Sequence, residues 1–237
     1  MQRRLKVLGI GGVALLAAVR LASAQTVDEL VDKNLAAKGG LERLRAVQTV
    51  RQTSRMTMQG IEAEFTMFGK RPNLIRQQIS MQGQTIVMAY DGAVPWMLNP
   101  LLGSSSAILV TGPQAAMIRE QSSFDGPLVD YKERGTKVEL VGAETVGTRK
   151  AYHLKLTSKT GQIQHCYLDA ATYLEMRLVS EDMGKMEQEL SDYREVEGIK
   201  IPFRVRLMQN GVVQSEIKVD KVEFNVKVED SLFRIPK

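Results

Sequence analysis

The sequence predicts an α+β protein that is mainly β: one large curved antiparallel sheet with helices laid across its concave apolar side. Three observations lead there. Apolar residues recur at helical spacing only near the start of the chain and again near residues 113–124. From Val50 onward the hydrophobic period changes to two, run after run. Within those runs one phase is apolar and the other polar, as in antiparallel sheets with one face buried and one wet. The apolar face must then be covered.

Taken in chain order, residues 2–6 form a basic head, and Val7 to Val19 is an uncharged stretch of 13 residues. Ala22-Ser23-Ala24 then supplies the small residues a signal peptidase accepts, although Arg20 is an unusual charge so close to that point. The expectation is a signal peptide over 1–24, cleaved before Gln25, and a single exported domain over 25–237. Thirteen apolar residues fall short of the roughly 20 that a spanning helix needs. No cysteine follows the leader at a lipid-anchoring position, and the sole cysteine is Cys166. The formal charge of +5 belongs mostly to the leader. The remainder is close to neutral, so the basic pI implies no nucleic-acid partner.

The mature part opens with Thr26-Val27-Asp28-Glu29, the spacing of a capping box. Val27, Leu30, Val31 and Leu35 continue it as an apolar helical stripe that Gly39-Gly40 ends. Leu41, Leu44 and Val47 predict one more short helix. Met56 and Met58 alternate with Arg55 and Thr57, and Ile61, Ala63, Phe65 and Met67 with Glu62, Glu64 and Thr66. Gln59-Gly60 between them reads as a hairpin turn. Further strands are expected at 74–81, 84–90, 137–142, 151–157, 162–168, 173–179, 186–193, 201–208 and 212–224. Gly83, Asp91-Gly92, Gly161, Gly184, Gly198 and Asn210-Gly211 mark turns. Leu101 to Ser106 has loop composition, and Pro113 to Phe124 a helical one, with Ala115, Ala116 and Ile118 apolar.

Catalytic readings find little support. His165 adjoins Cys166, but strand neighbours point to opposite faces, which argues against a dyad. His153 falls in the polar phase of its strand and is expected as a solvated surface residue. Glu187 and Glu189 are likewise expected on exposed strands. Ser104-Ser105-Ser106 lacks a nucleophile elbow, and Gly69-Lys70 lacks the glycine of a phosphate loop. Two histidines and one cysteine leave little for a zinc site. No enzyme activity, metal or cofactor is expected. The eleven methionines after Met1 are about twice ordinary usage. They read either as a loosely packed core or as an adaptable apolar surface for ligands of varied shape.

Gly69-Lys70-Arg71-Pro72-Asn73-Leu74 resembles a signature of the periplasmic outer-membrane lipoprotein carrier family, the LolA family. Asp91-Gly92, Trp96 and Asn99-Pro100 stand where that family has its Asp-Gly-x-x-x-Trp turn and Asn-Pro. Phe233-Arg234-Ile235-Pro236 is similar to its closing Phe-x-x-Pro. The resemblance implies an unclosed β-barrel whose apolar cavity carries acyl chains of lipoproteins or lipids across the periplasm. It implies an inner-membrane exporter and an outer-membrane receptor as partners, and a monomer. Met56, Met58, Phe65, Met67, Met88, Trp96, Met97 and Ile118 are the cavity-lining residues expected on this basis, and Arg71 matches the arginine that holds the lid closed. The mature chain is about thirty residues longer than the usual carrier, and Ala36-Ala37-Lys38-Gly39-Gly40 marks a divergent branch. The alternative reading is an envelope binding or sensor protein of the same fold that recognises a lipid or protein component without transporting it.

Overall fold

A computed structural model describes residues 25–103, 106–181 and 185–236. The leader expected over 1–24, Ser104, Ser105 and the turn expected at Gly184 lie outside the described residues.

Helix α1 spans Val27–Lys38 and starts with the expected capping box. The Glu29 amide donates to Thr26 Oγ1 at 3.2 Å, and the Thr26 amide to Glu29 Oε2 at 2.9 Å. Gly39 ends it at φ +124°. A Cβ there would stand 2.2 Å from the Gly198 carbonyl oxygen, so only glycine lets the helix end press on the sheet. Helix α2 (Leu41–Ala46) follows at once.

The strands are β1 (Thr49–Met58), β2 (Ile61–Lys70), β3 (Leu74–Met81), β4 (Gln84–Tyr90), β5 (Pro95–Leu98) and β6 (Ile108–Leu109). After helix α3 (Gly112–Gln121) come β7 (Lys137–Val146), β8 (Arg149–Thr157), β9 (Ile163–Asp169) and β10 (Glu175–Ser180). The last are β11 (Met186–Val196), β12 (Ile199–Gln209) and β13 (Val212–Phe224). All thirteen form one antiparallel sheet, ordered β6-β5-β4-β3-β2-β1-β13-β12-β11-β10-β9-β8-β7. Each half meanders through sequential neighbours, and β1 pairs with β13 to join them. The edges β6 and β7 do not meet, so the barrel is unclosed.

Alternation assigns the faces. On the inner face Leu154 opposes Cys166, Val205 opposes Ile217, and Ile217 opposes Met56. Phe65 opposes Ile79 and Met88 opposes Met97. Helices α1 and α2 cover one end of this face, where Leu30, Val31, Leu35 and Leu44 pack with Leu154, Cys166 and Leu168. Helix α3 covers the other, with Ala115 and Ile118 against Ile75 and Tyr90. The outer face carries a clasp of its own. A 3-10 turn over Asp230–Phe233 lies against β3–β5, where Trp96 Nε1 donates to the Phe233 carbonyl at 2.7 Å. Arg76 donates to the Leu232 carbonyl at 2.9 Å, with its guanidinium 5.5 Å from the Trp96 ring.

Three expectations need correcting. Residues 95–98 form a strand, where no strand was expected, and 108–109 add an edge strand. The helix expected over 113–124 stops at Gln121, so Phe124 leaves it to pack on the sheet. Pro100–Leu102 is a 3-10 turn, capped by the Asn99 side chain, within a stretch expected to be loop.

The clasp generates a test. Phe233 is fully buried, so Phe233→Ala is expected to cost about 3–5 kcal/mol in urea unfolding. Trp96→Phe keeps most of the ring but orphans a buried carbonyl, and about 1–3 kcal/mol is expected there.

Candidate functional site

The candidate site is the inner face between the two helical covers. Met56, Phe65 and Ile217 are buried together, with Met58, Met67, Ile79, Val205 and Leu207 packed around them. Met67 also touches the cluster under α3, as does Met97. Met88 lies beside Met97 on the same face, half-buried. Seven of the eight residues expected to line a cavity therefore lie on the inner side, Ile118 on the cover and the rest on a mainly apolar sheet face that Gln52, Ser54 and Gln77 interrupt. Trp96 is the exception and a correction. Its neighbour Met97 points inward, so Trp96 points outward and packs with Val87 and Ala89 beneath the C-terminal turn. Strand alternation would have separated Trp96 from Met97 had residues 95–98 been read as a strand.

The covers are fastened at Arg71, which sits just past the end of β2. Its Nε donates to the Val47 carbonyl at 2.7 Å and its Nη2 to the Leu44 carbonyl at 3.0 Å, both at the end of α2. The remaining donors take both carboxylate oxygens of Asp125 at 2.8 Å each. This bidentate pair ties the segment after α3 to the same guanidinium. Phe124 lies under it, 5.3 Å from the guanidinium carbon to the ring centre. Gly69 makes room for that ring: a Cβ there would lie 2.6 Å from Phe124 Cδ1 and 2.9 Å from Val50 Cγ1. One side chain thus holds two cover segments.

A second buried link runs from α1. Lys38 Nζ donates to Glu175 Oε1 at 2.9 Å and to the Asp125 carbonyl at 3.1 Å. Burial pushes the Glu175 carboxyl up, but the Lys38 ammonium, together with hydrogen bonds from the Glu175 amide and the Asn34 side chain, outweighs it and leaves the group below its ordinary 4.5. Asp125 is therefore held at its side chain by Arg71 and at its backbone by Lys38. No local sequence signal announces Asp125, Lys38 or Glu175, which meet only through long-range contacts.

The charged outer face differs from its expected solvated state at two places. His153 Nε2 lies 2.7 Å from His165 Nδ1, and the outer nitrogens meet Glu144 at 2.8 Å and Glu181 at 3.1 Å. His153 also stacks on Tyr167, with 4.4 Å between ring centres. Its side chain is only 13% exposed, and burial lowers its pKa from 6.5. It is a bonded partner, not a free surface ring. Glu187 is buried between Arg177 at 2.8 Å and Lys185 at 3.0 Å. Cys166 faces the opposite side from His165, and burial pushes its thiol well up, which leaves it a poor nucleophile. Among the described residues, no group of three or more His, Cys, Asp or Glu converges as metal ligands. A groove of about 210 Å³ lies outside the covers, between α1, α2 and residues 128–133, with Asp28, Asp32, Arg45 and Lys132 in its walls. It is too small and too charged for an acyl chain.

A half-barrel with an apolar inner face and helical covers defines a LolA-like fold. The solved structures similar to this chain agree. A DUF1329 family protein from Desulfovibrio piger superposes with a TM-score of 0.60 at 14% identity, over 89% of this chain and 98% of that one. A LolA superfamily protein from Nitrosomonas europaea gives 0.59 at 14% identity, over 89% and 98%. An outer membrane lipoprotein-sorting protein domain from Vibrio parahaemolyticus gives 0.57 at 12% identity, over 86% and 94%. No protein-family model matches the sequence, and no curated protein matches it. At such low identity the likeness establishes the fold.

Two tests follow from the fastening. Gly69→Ala is expected to cost about 1–3 kcal/mol by crowding Phe124, with faster hydrogen exchange over 122–126. Because the folded Glu175 pKa lies below its unfolded value, the stability this carboxylate contributes is present above about pH 4.5. It is lost as pH falls through the depressed folded value. Glu175→Gln should therefore be less stable at neutral pH, with Lys38 left unpaired, yet show a flatter loss between neutral pH and about pH 3.5 in urea titrations.

Proposed function

We propose that this chain is a periplasmic carrier that holds the acyl chains of lipoproteins or lipids against the inner face of its half-barrel and ferries them towards the outer membrane. The observation that carries this reading is the fastening of both covers to Arg71 over a mainly apolar surface. A guanidinium that bonds carbonyls at the end of α2 and the carboxylate after α3 joins the two covers directly, with Lys38 of α1 holding the same Asp125 by its backbone. Met56, Met58, Phe65, Met67, Met88, Met97 and Ile118 line the space that opens. Methionine suits it, being unbranched and able to repack around chains of differing length.

A bare chain of about 16 carbons would cost roughly 12 kcal/mol to hold in water, at about 0.8 kcal/mol per methylene, so passage between membranes requires a covered apolar face. A chain arriving from a bilayer brings no such gain with it, so the covers must open by losing only a few charge-assisted hydrogen bonds, each worth about 1.5–3 kcal/mol. The export signal over 1–24 belongs to this reading, as do an inner-membrane donor and an outer-membrane acceptor.

The test is mass spectrometry of lipids extracted from mature protein purified without detergent, with a mock purification as blank. A stoichiometric acyl species is expected, free or protein-linked. Its absence, together with failure of added phospholipid or acylated peptide to bind, would overturn the carrier. Arg71→Leu removes the contact shared by the two covers and is expected to change the rate at which bound acyl chains pass to acceptor vesicles. Unchanged transfer by a folded Arg71→Leu protein would remove the lid role.

A further inference from the structure

Three hairpin turns project from one end of the sheet, side by side. They are Gln59-Gly60 between β1 and β2, Gln82-Gly83 between β3 and β4, and Asn210-Gly211 between β12 and β13. All six residues have positive φ, between 47° and 83°, the paired left-handed geometry of tight hairpins. The strands that carry them are consecutive in the sheet, β4-β3-β2-β1-β13-β12. At about 4.8 Å per strand the three tips make a ridge roughly 20 Å long.

The composition of this ridge is unusual for the chain. Residues 56–61, 81–86 and 208–214 contain no charged side chain, although a quarter of the whole sequence is charged; the nearest charges are Glu62, next to Ile61, and Lys185, whose carbonyl accepts from the Asn210 amide. Methionines flank the turns (Met58, Met81 and Met208), and the turns themselves offer side-chain amides. Exposed apolar residues stand at the tips: Ile61 is 48% exposed, Val212 62% and Val213 43%. The β11–β12 turn at the opposite end of the sheet is flanked instead by Glu195, Glu197 and Lys200. Directly behind the ridge lies the inner cluster of Met56, Phe65 and Ile217, with Met58 between them.

We propose that this uncharged ridge is the surface by which the protein docks on a lipid bilayer, seating the end of the trough at the headgroup–acyl boundary. The inference rests on the carrier reading, since acyl chains that enter the trough leave a membrane. Its own grounds are the chemistry of the tips. Isoleucine and valine gain by leaving water, and glutamine and asparagine amides hydrogen-bond to headgroups. The lack of charge removes the desolvation cost that lysine or glutamate would meet there. A ridge of this kind should favour neutral bilayers and be insensitive to salt, because it makes no ion pairs with lipid.

The experiment is flotation of the mature protein with phosphatidylcholine vesicles at low and high salt. Co-flotation that persists at high salt is expected. A variant carrying Ile61→Glu, Val212→Glu and Val213→Glu should lose at least about tenfold in partitioning, and the corresponding triple serine variant a smaller amount. All three positions are exposed, so urea unfolding midpoints should stay close to the parent. Leu109→Glu on the β6 edge, an exposed apolar site away from the ridge, is the control and should float as the parent does. The proposal is overturned if the parent does not float, or floats only with anionic lipid at low salt. It is overturned equally if the folded ridge variants float unchanged, or if Leu109→Glu lowers flotation as much as the triple variants. Acyl content of the same samples keeps the two readings apart. Loaded protein that does not float removes the docking ridge alone, and floating protein without acyl content or lipid uptake removes the carrier alone.

Discussion

The arrangement depends on one guanidinium. Arg71 spends its donors on groups from two places far apart in the chain, the carbonyl end of α2 and the carboxylate of Asp125. The Leu44 carbonyl already takes the Val47 amide at the end of α2, and Arg71 adds a second, charged donor to it and one to the Val47 carbonyl. A lysine would supply the charge but not the planar fork that meets both Asp125 oxygens at once. The apolar inner face supplies area for cohesion, yet it is indifferent to which cover lies where. The geometry around Arg71 fixes that choice.

Successive residues of one short motif serve opposite sides of the sheet. Gly69 yields space on the inner side for Phe124. Lys70 donates to the Val228 carbonyl and pairs with Asp230, in the C-terminal segment on its way to the outer clasp. Arg71 turns to the covers. The turn at Asp91-Gly92 places Trp96 over Phe233, because the Asp91 side chain accepts from the Ala93 and Val94 amides and so fixes the start of β5. Motifs that are distant in sequence thus meet as two fasteners, one on each face.

Much of the fold was legible in the sequence because its local signals are strong. The capping box at Thr26, the period-two runs of β1 to β4 and β8 to β13, and the positive-φ turns are each decided by residues a few positions apart. The short strand at Pro95–Leu98 was not legible, since four apolar residues beginning with proline carry no clear alternation. That omission alone put Trp96 on the wrong face. The candidate site divides the same way. The methionines and Phe65 follow from strand phase, and Arg71 from a recognisable motif. Asp125, Lys38 and Glu175 are polar residues at unremarkable local positions, and their meaning comes from a meeting across the fold. His153 follows the correct phase, but its bond to His165 on the next strand is invisible along the chain.

The pairing of β1 with β13 has a consequence for how the chain comes to be folded. Each half is a meander whose strands pair with the next in sequence, so each can form by local steps as it emerges. The seam between them joins Val50 to Phe224, nearly the whole length of the described chain apart. Closing so long a loop is the entropically demanding event. A chain lacking its last strand would hold two half-sheets and no continuous inner face. A continuous inner face therefore arrives only with the final stretch of polypeptide, and a partly made chain has two separate half-sheets in its place.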